Sequence, residues 1–170
     1  HTEPIIGFAW GTKGQLYAST GTDLLQTPIF KEFLEKTPLK VYDFKRAKVL
    51  LSHLGITLQK PAFDSRLAKY LLSTVEDNEI STIASLYSQI ALPLDEVVYG
   101  KGAKKAIPEK TALLEHLARK VAVLLDTEEP MMEQLQAHDQ LDLLYDMEQP
   151  LAAVLAKMEI AGIKVERQTL

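Results

Sequence analysis

The segment KVYDFKRAKVLLSHLGITLQKPAFDSRLAKYLL, residues 40–72, decides the fold of this chain. Its pattern predicts a short strand over 39–42, a helix that ends at Gly55, a link that contains Pro61, and a second helix. Asp64 stands directly before the second helix, so we expect its carboxylate to cap that helix. A strand followed by two helices in this order indicates an α/β fold.

The residues upstream of this segment predict the rest of a small mixed sheet flanked by helices. The stretches 4–10 and 15–19 are typical of a β-hairpin, and Pro28 opens a helix. Three strands are few for a domain of this size. A first central strand upstream of His1 would complete the sheet, so we expect the chain to be a piece of a longer protein.

The second half of the chain is predicted to be helical. A long helix opens at Pro108 and is bent or interrupted at Pro130. A shorter helix follows from about Gln140, and a last helix runs from Pro150 and ends at Gly162. The apolar residues of this last helix are expected to face inward; they are Leu151, Val154, Leu155 and Met158.

The composition is typical of a globular protein of the cytoplasm. The 170 residues suit one domain with a fragment of a second, and 46% hydrophobic residues are ample for a core. No segment is apolar for long enough to span a membrane. The absence of cysteine excludes disulfides and thiolate metal sites. Dedicated nucleic-acid-binding domains are usually basic, so with a net charge of −4 this chain alone is not expected to hold DNA tightly.

Four segments, in order and at plausible spacing, resemble one family of proteins. They are FDSRLAKYLL (63–72), VVYGKGAKK (97–105), EHLARKVAVLL (115–125) and EQPLAAVLAKMEIAGIKVE (148–166). Together they resemble the bacterial DNA polymerase I family, the family-A repair polymerases. The first three resemble its proofreading exonuclease domain, which has a ribonuclease-H-like fold, and the fourth resembles the entry into the polymerase body. The resemblance implies an exonuclease-like domain over residues 1–136 and the start of a polymerase domain over 137–170.

The same resemblance implies which positions once carried the nuclease chemistry. In active members two metal ions about 4 Å apart clamp the scissile phosphate, and carboxylates hold them. The ligands are an Asp-x-Glu pair on the first central strand, one helical Asp, and a Tyr-x-x-x-Asp on a late helix. The helical Asp falls at Ala47 here, and the Tyr and Asp fall at His116 and Lys120. Alanine removes a ligand and an ammonium repels a metal, so no catalytic residue and no metal ligand is expected in this chain.

Other Asp, Glu and His residues of the chain could be mistaken for metal ligands. We prefer a structural interpretation for each of them. Asp43 stands at the end of a strand, where sites in α/β proteins gather, but a structural role is expected for it. Asp64 is expected to cap a helix rather than to bind a metal. Asp77 and Glu79 form an Asp-x-Glu at a turn, where helix capping and a solvated loop are expected. His116 is predicted to lie on a helix surface.

The segment YGKGAKK, residues 99–105, is rich in glycine and lysine. Its spacing differs from that of a phosphate-binding P-loop, so a mobile solvated loop is the preferred interpretation. In the resembled family this region approaches single-stranded DNA. The resemblance therefore implies Lys101, Lys104 and Lys105 as the candidate DNA-binding residues.

The resemblance implies a vestigial 3′–5′ exonuclease domain that is retained as a scaffold. The longer protein would be a template-directed DNA polymerase of replication and repair, with DNA as its partner and Mg²⁺ as its cofactor. No cofactor is expected for this fragment, and a monomer without membrane contact is expected. Two alternatives stay open. One is a working metal-dependent exonuclease in which Asp43 or Asp64 stands in for Ala47, and the other is a stand-alone interaction domain.

Overall fold

The structure is a computed structural model, and it describes residues 4–74, 77 and 79–169, with the helical backbone alone for 163–169. In chain order the elements are β1 (Gly7–Thr12), β2 (Gln15–Thr20), α1 (Pro28–Lys36), β3 (Leu39–Val41), α2 (Phe44–Ser52), β4 (Pro61–Asp64), α3 (Ser65–Leu72), α4 (Ile80–Tyr87), α5 (Asp95–Tyr99), α6 (Lys110–Ala137), α7 (Leu141–Leu143) and α8 (Gln149–Thr169). Short 3₁₀ turns cover Leu24–Gln26 and Gly102–Lys104, and a π-helical turn, Leu144–Glu148, joins α7 to α8.

The chain forms two compact units, and each unit is built from two separate stretches of sequence. The hairpin unit combines His1–Leu25 with Thr74–Met131. The parallel-strand unit combines Gln26–Ser73 with Met132–Leu170. These units are defined by contacts between residues, whereas the predicted domain boundary after residue 136 rests on resemblance to a family. The boundary after residue 136 therefore stays a prediction.

The hairpin unit begins with β1 and β2, which pair antiparallel as predicted. Trp10 lies opposite Tyr17, and the two rings stack with centroids 5.4 Å apart. Cross-strand aromatic pairs of this kind stabilise a two-stranded ribbon. The backbone of Gly7 lies close to α6, because a Cβ at this position would come within 2.9 Å of a Leu117 methyl carbon. The buried apolar residues of this unit are Leu25, Ile83, Ala84, Leu113, Val123 and Met131.

The parallel-strand unit contains a β-α-β arrangement that the sequence predicted only in part. β3 and β4 pair in parallel, and α2 connects them. The segment that contains Pro61 was predicted to be a link before the Asp64 cap, and that prediction is wrong. Pro61 is the first residue of β4, a position where proline is tolerated within a sheet. The described residues therefore contain four strands in two two-stranded sheets, flanked by helices as the α/β class predicted.

Two predicted helix interruptions are absent from the described residues. α6 continues through Pro130, and the residues that follow include Met131 and Leu135, whose side chains are fully buried. α8 continues through Gly162 to its end at Thr169, because glycine permits a helix end without enforcing one. None of the described helices is both long enough and apolar enough to cross a membrane.

The buried face of α8 is not the one that the sequence predicted. α2 packs against α8 within the parallel-strand unit. Among the described side chains of α8, the buried apolar residues are Ala152 and Ala156, and small side chains allow two helices to approach closely. The four apolar residues that were expected to face inward are between 41% and 62% exposed; they are Leu151, Val154, Leu155 and Met158.

Candidate functional site

Four side chains of the hairpin unit converge where α5 meets α6, and we refer to them as the Asp95 cluster. Oδ1 of Asp95 lies 2.7 Å from Nζ of Lys120 and 2.9 Å from Nε2 of His116. The ring of Tyr99 meets the imidazole of His116 edge-on, with centroids 5.5 Å apart. Nζ of Lys120 lies 5.9 Å from the centre of the Tyr99 ring. Residues four apart share a helix face, so each helix contributes two members.

The cluster keeps one negative charge next to one positive charge. Burial by itself would raise the pKa of Asp95, but the hydrogen bonds from Lys120 and His116 outweigh it and hold this pKa below its ordinary value. Burial raises the pKa of Tyr99, and the negative charge of Asp95 adds to that effect. At neutral pH Asp95 is therefore an anion and Tyr99 a neutral phenol.

His116 is buried, which corrects the prediction that it lies on a helix surface. Its side chain is 3% exposed, because it points toward α5 and Tyr99 instead of toward solvent. Nε2 is occupied by Asp95, whereas Nδ1 is buried and has no hydrogen-bond partner among the described residues. Sequence reasoning missed Asp95 itself. The available signal was the i, i+4 spacing of Asp95 and Tyr99, which matches the spacing of His116 and Lys120.

The donor set of the Asp95 cluster does not fit a pair of metal ions. A divalent cation prefers several carboxylate oxygens, whereas the oxygen of Asp95 already accepts from an ammonium group. Lys120 would repel a metal ion placed beside it. Within residues 4–74, 77 and 79–162, no three His, Asp or Glu side chains form a group that could hold a metal.

We expect the hairpin unit to lose stability in acid because of Asp95. Its pKa is lowered by folding, so its contribution is complete above the ordinary value of 3.8 and is lost as the pH falls through the folded value below 3.8. The measurement is the urea midpoint of unfolding between about pH 5 and about pH 3. Trp10, the only tryptophan, reports on this unit by fluorescence.

The matched control is Asp95→Asn, which keeps the shape of the side chain but removes its charge. This variant should be less stable at pH 5 and should lose less stability than the parent chain on acidification. An equal loss in both proteins would mean that other carboxylates cause the acid sensitivity.

In the parallel-strand unit Asp64 caps two helices at once. One carboxylate oxygen accepts from the backbone N–H groups of Arg66 and Leu67 in α3, at 3.0 and 3.2 Å. The other accepts from the N–H of Phe44 in α2 at 2.9 Å, and Asp43 N lies 3.3 Å from the first oxygen. Burial raises the pKa of Asp64, and these backbone hydrogen bonds oppose the increase. The predicted helix cap is confirmed.

Asp43 also has the structural role that the sequence predicted. Its carboxylate accepts from the backbone N–H of Arg46 at 3.2 Å and caps α2. Its backbone has φ 95°, a conformation that residues other than glycine seldom adopt. The hydrogen bond from Asp43 N to Asp64 accompanies this strained geometry and joins the ends of β3 and β4.

Two further positions that the sequence singled out, Ala47 and Asp77, have ordinary structural contacts. Ala47 lies in α2 and is half-buried, and its backbone N–H donates to the carbonyl of Asp43 at 3.1 Å. It belongs to the parallel-strand unit, whereas His116 and Lys120 belong to the hairpin unit. Asp77 accepts from Glu79 N at 3.1 Å and from the Thr82 hydroxyl at 2.5 Å, whereas α4 has no side-chain cap, so the predicted helix-capping role is not found. Asn78, between them, lies outside the described residues.

The three candidate DNA-binding lysines lie in an exposed loop of the hairpin unit. A hydrogen bond of 2.7 Å from Ala106 N to the carbonyl of Tyr99 closes the base of this loop. Lys101 is 85% exposed and lies 3.6 Å from Glu96. The same loop is attached to the Asp95 cluster, because Tyr99 is its first residue. The other two candidates, Lys104 and Lys105, are exposed as well.

An open cleft of about 580 Å³ lies beside α4 in the same unit. Its lining is formed by serines, one glutamine, apolar side chains and Arg119. Arg119 makes an exposed ion pair of 2.7 Å with Glu115, so its charge is partly compensated. The described lining contains no carboxylate or imidazole, and we assign no chemistry to this cleft.

The family match and the similar proteins all point to the same family. The family described as "DNA polymerase I, ribonuclease H-like domain" matches residues 1–127. Over all 170 residues the chain is 66% identical to DNA polymerase I of Streptococcus pneumoniae (strain ATCC BAA-255 / R6) and 51% identical to that of Lactococcus lactis subsp. lactis (strain IL1403). DNA polymerase I of Geobacillus stearothermophilus is 38% identical and also covers the whole chain. The chain spans 19% or 20% of the length of these relatives.

Proposed function

Because this chain belongs to the DNA polymerase I family of ribonuclease-H-like domains, we propose that it is a vestigial 3′–5′ exonuclease domain followed by the first helices of a polymerase domain. The observation that supports the proposal is the ion pair between Lys120 and Asp95. By the resemblance given above, Lys120 falls where active members of the family carry a metal-binding Asp. A positive charge at this position, paired with the nearby carboxylate, opposes the binding of two metal ions and supports the loss of the nuclease site.

The proposed role is that of a scaffold within a longer polymerase. The relatives are about five times as long as this chain, so template-directed synthesis, with DNA as partner and Mg²⁺ as cofactor, is proposed for the parent protein only. Cytoplasmic location, a monomeric state and a part in DNA repair belong to the same proposal. Both units have cores of fully buried apolar side chains, as a retained scaffold requires.

An exonuclease assay tests the proposal on the parent protein, extended to the length of its relatives. The substrate is a 3′-labelled DNA single strand, with Mg²⁺ and then Mn²⁺, and without nucleoside triphosphates so that the polymerase is idle. We expect no shortening above a metal-free blank. Metal-dependent shortening from the 3′ end would overturn the proposal and favour an exonuclease with displaced ligands. Asp43→Ala and Asp64→Ala, each first shown by circular dichroism to be folded, would then show which carboxylate the metals use.

We also propose that the loop lysines contact single-stranded DNA in the parent protein. Replacing Lys101, Lys104 and Lys105 with alanine should weaken binding, because fewer phosphates are then neutralised by the protein. The slope of log affinity against log salt should become shallower by about 0.7 for each of these phosphates. The measurement is fluorescence anisotropy of a labelled oligonucleotide over a series of salt concentrations.

The matched control removes three exposed lysines elsewhere, at positions 13, 60 and 110. It changes the net charge by the same amount, so a general electrostatic effect would weaken binding equally in both variants. An equal effect, or none in either variant, would contradict a DNA contact by the loop.

A further inference from the structure

The lysine-rich loop after α5 is folded back on its own backbone, and we refer to residues 99–106 as the lysine loop. Ala106 N donates to the carbonyl of Tyr99 at 2.7 Å, which closes the loop. Gly100 has φ 80°, and a Cβ at this position would collide with the carbonyl oxygen of Lys104, so only glycine fits there. Because the lysine loop begins and closes at Tyr99, its direction depends on how Tyr99 is held.

The short helix α5, which ends at Tyr99, has little packing of its own. It has five residues, whereas helices shorter than about 12–15 residues are marginal in water by themselves. None of these five residues is buried, and Leu94, which precedes them, makes no side-chain cap. Side-chain contacts with other elements therefore decide the direction of α5.

The Asp95 cluster provides these contacts, because it joins both ends of α5 to α6. At the first residue of α5, Oδ1 of Asp95 lies 2.7 Å from Nζ of Lys120 and 2.9 Å from Nε2 of His116. At the last residue, the ring of Tyr99 meets the imidazole of His116 edge-on. His116 is itself 3% exposed, so α5 is attached to a well-packed part of the hairpin unit.

We propose that the Asp95 cluster positions the lysine loop for contact with the phosphates of single-stranded DNA. Lys120 and His116 hold Asp95, and α5 then directs the loop. Asp95 and Lys120 are positioning residues, because they act on DNA only through the loop lysines. This inference rests on the proposed DNA contact of the loop and adds the device that prepares it. A loop that is already held in its bound arrangement loses less conformational entropy on binding, which increases its affinity.

The test uses a matched pair of variants of the parent protein, Asp95→Asn and Glu96→Gln. Both replace a carboxylate of α5 with an amide of the same shape, so both make the surroundings of the loop more positive by the same amount. Electrostatics alone therefore predicts tighter DNA binding in both variants. Only Asp95 belongs to the cluster, whereas Glu96 makes an exposed ion pair of 3.6 Å with Lys101.

We expect the two variants to change DNA affinity in opposite directions. If Asp95→Asn leaves the loop correctly placed for roughly one fifth of the time, the apparent Kd for a labelled single strand rises about fivefold. Glu96→Gln should tighten binding, because it releases Lys101 from its ion pair. Fluorescence anisotropy gives both affinities, and circular dichroism first shows that both variants are folded.

Amide hydrogen exchange of the DNA-free parent protein tests the anchoring of the loop separately. The N–H of Ala106, which donates to Tyr99, should exchange several-fold faster in Asp95→Asn than in Glu96→Gln. The N–H of Val123, in the buried part of α6, should exchange at the same rate in both variants. Equal exchange at Ala106 would overturn the proposal, because the cluster would not anchor the loop. Faster exchange at Val123 in Asp95→Asn would also overturn it, because the whole unit would then be destabilised.

A second variant, Lys120→Met, distinguishes positioning from direct contact with DNA. It should weaken binding in the parent protein but not in the variant whose three loop lysines are alanine, because a residue that acts through those lysines has no effect without them. Lys120→Arg keeps the charge that pairs with Asp95, so it should bind as the parent protein does. The same weakening by Lys120→Met in both backgrounds would mean that Lys120 itself contacts phosphate, and would overturn its positioning role.

Two combinations of results separate the anchoring from the DNA contact. Faster loop exchange in Asp95→Asn together with unchanged or tighter DNA binding would overturn the proposal, because the anchored arrangement would not serve binding. If replacement of the three loop lysines with alanine left the affinity unchanged, the proposed DNA contact would be wrong, and with it the DNA role of the cluster. Loop exchange in Asp95→Asn would still report on the anchoring in that case.

Discussion

Replacement of Asp64 with alanine is expected to lower the free energy of unfolding by about 3 to 5 kcal/mol, because it removes the caps of two helices together. A single helix cap contributes about 1 kcal/mol, and each buried N–H that loses its partner costs roughly 1–3 kcal/mol. Asp64 accepts from N–H groups of α2 and of α3, and it is 1% exposed, so water cannot replace it without a rearrangement. Urea unfolding followed by circular dichroism gives the measurement.

Two variants distinguish a carboxylate that caps two helices from one that caps a single helix. Asp43→Ala removes an acceptor for one N–H of α2 and places alanine at φ 95°, so its cost should be about 1 to 2 kcal/mol. Asp64→Asn keeps the shape and one acceptor oxygen, so its cost should fall between those of the two alanine variants. If Asp64→Ala cost no more than Asp43→Ala, Asp64 would not stabilise two helices.

Replacement of Phe44 with alanine is expected to cost about 3 to 5 kcal/mol, the usual range for a large buried aromatic side chain. Phe44 is the first residue of α2 and has no exposed surface, so its removal leaves a cavity at the base of the β-α-β arrangement. Thermal and urea unfolding of the variant give the measurement.

The control for this prediction is Phe33→Ala in α1, which makes the same chemical change at a side chain that is 46% exposed. Less apolar area returns to water there and no closed cavity forms, so the loss should be well under half of that at Phe44. Equal losses would mean that the two aromatic sites do not differ in packing.

The local part of this structure was predictable from sequence, because its signals lie within a few residues of one another. The hairpin is marked by two β-favouring runs around a glycine-rich turn, and Asp64 is marked as a cap by the residues that follow it. The family and its ribonuclease-H-like class followed from ordered segments, and the match over residues 1–127 confirms both.

What sequence reasoning missed depends on contacts between distant residues. β4 has four residues and begins with proline, so only its pairing with β3 makes it a strand. The burial of His116 depends on Asp95, which is 21 positions away. The inward face of α8 was assigned by hydrophobicity, whereas close packing on α2 selects the alanines instead. In each case a tertiary contact decided between local alternatives.

The interleaved order of the two units has a consequence for synthesis on the ribosome. Residues 26–73 are synthesised before the second stretch of their unit, which begins at Met132. All of residues 74–131 must therefore be made before α8 can pack on α2. At roughly 5–20 residues per second this interval lasts several seconds, during which the alanine-lined partner of α2 does not yet exist. The nascent chain therefore exposes the apolar side of α2 to chaperones. A stop codon at position 137 would make that exposure permanent.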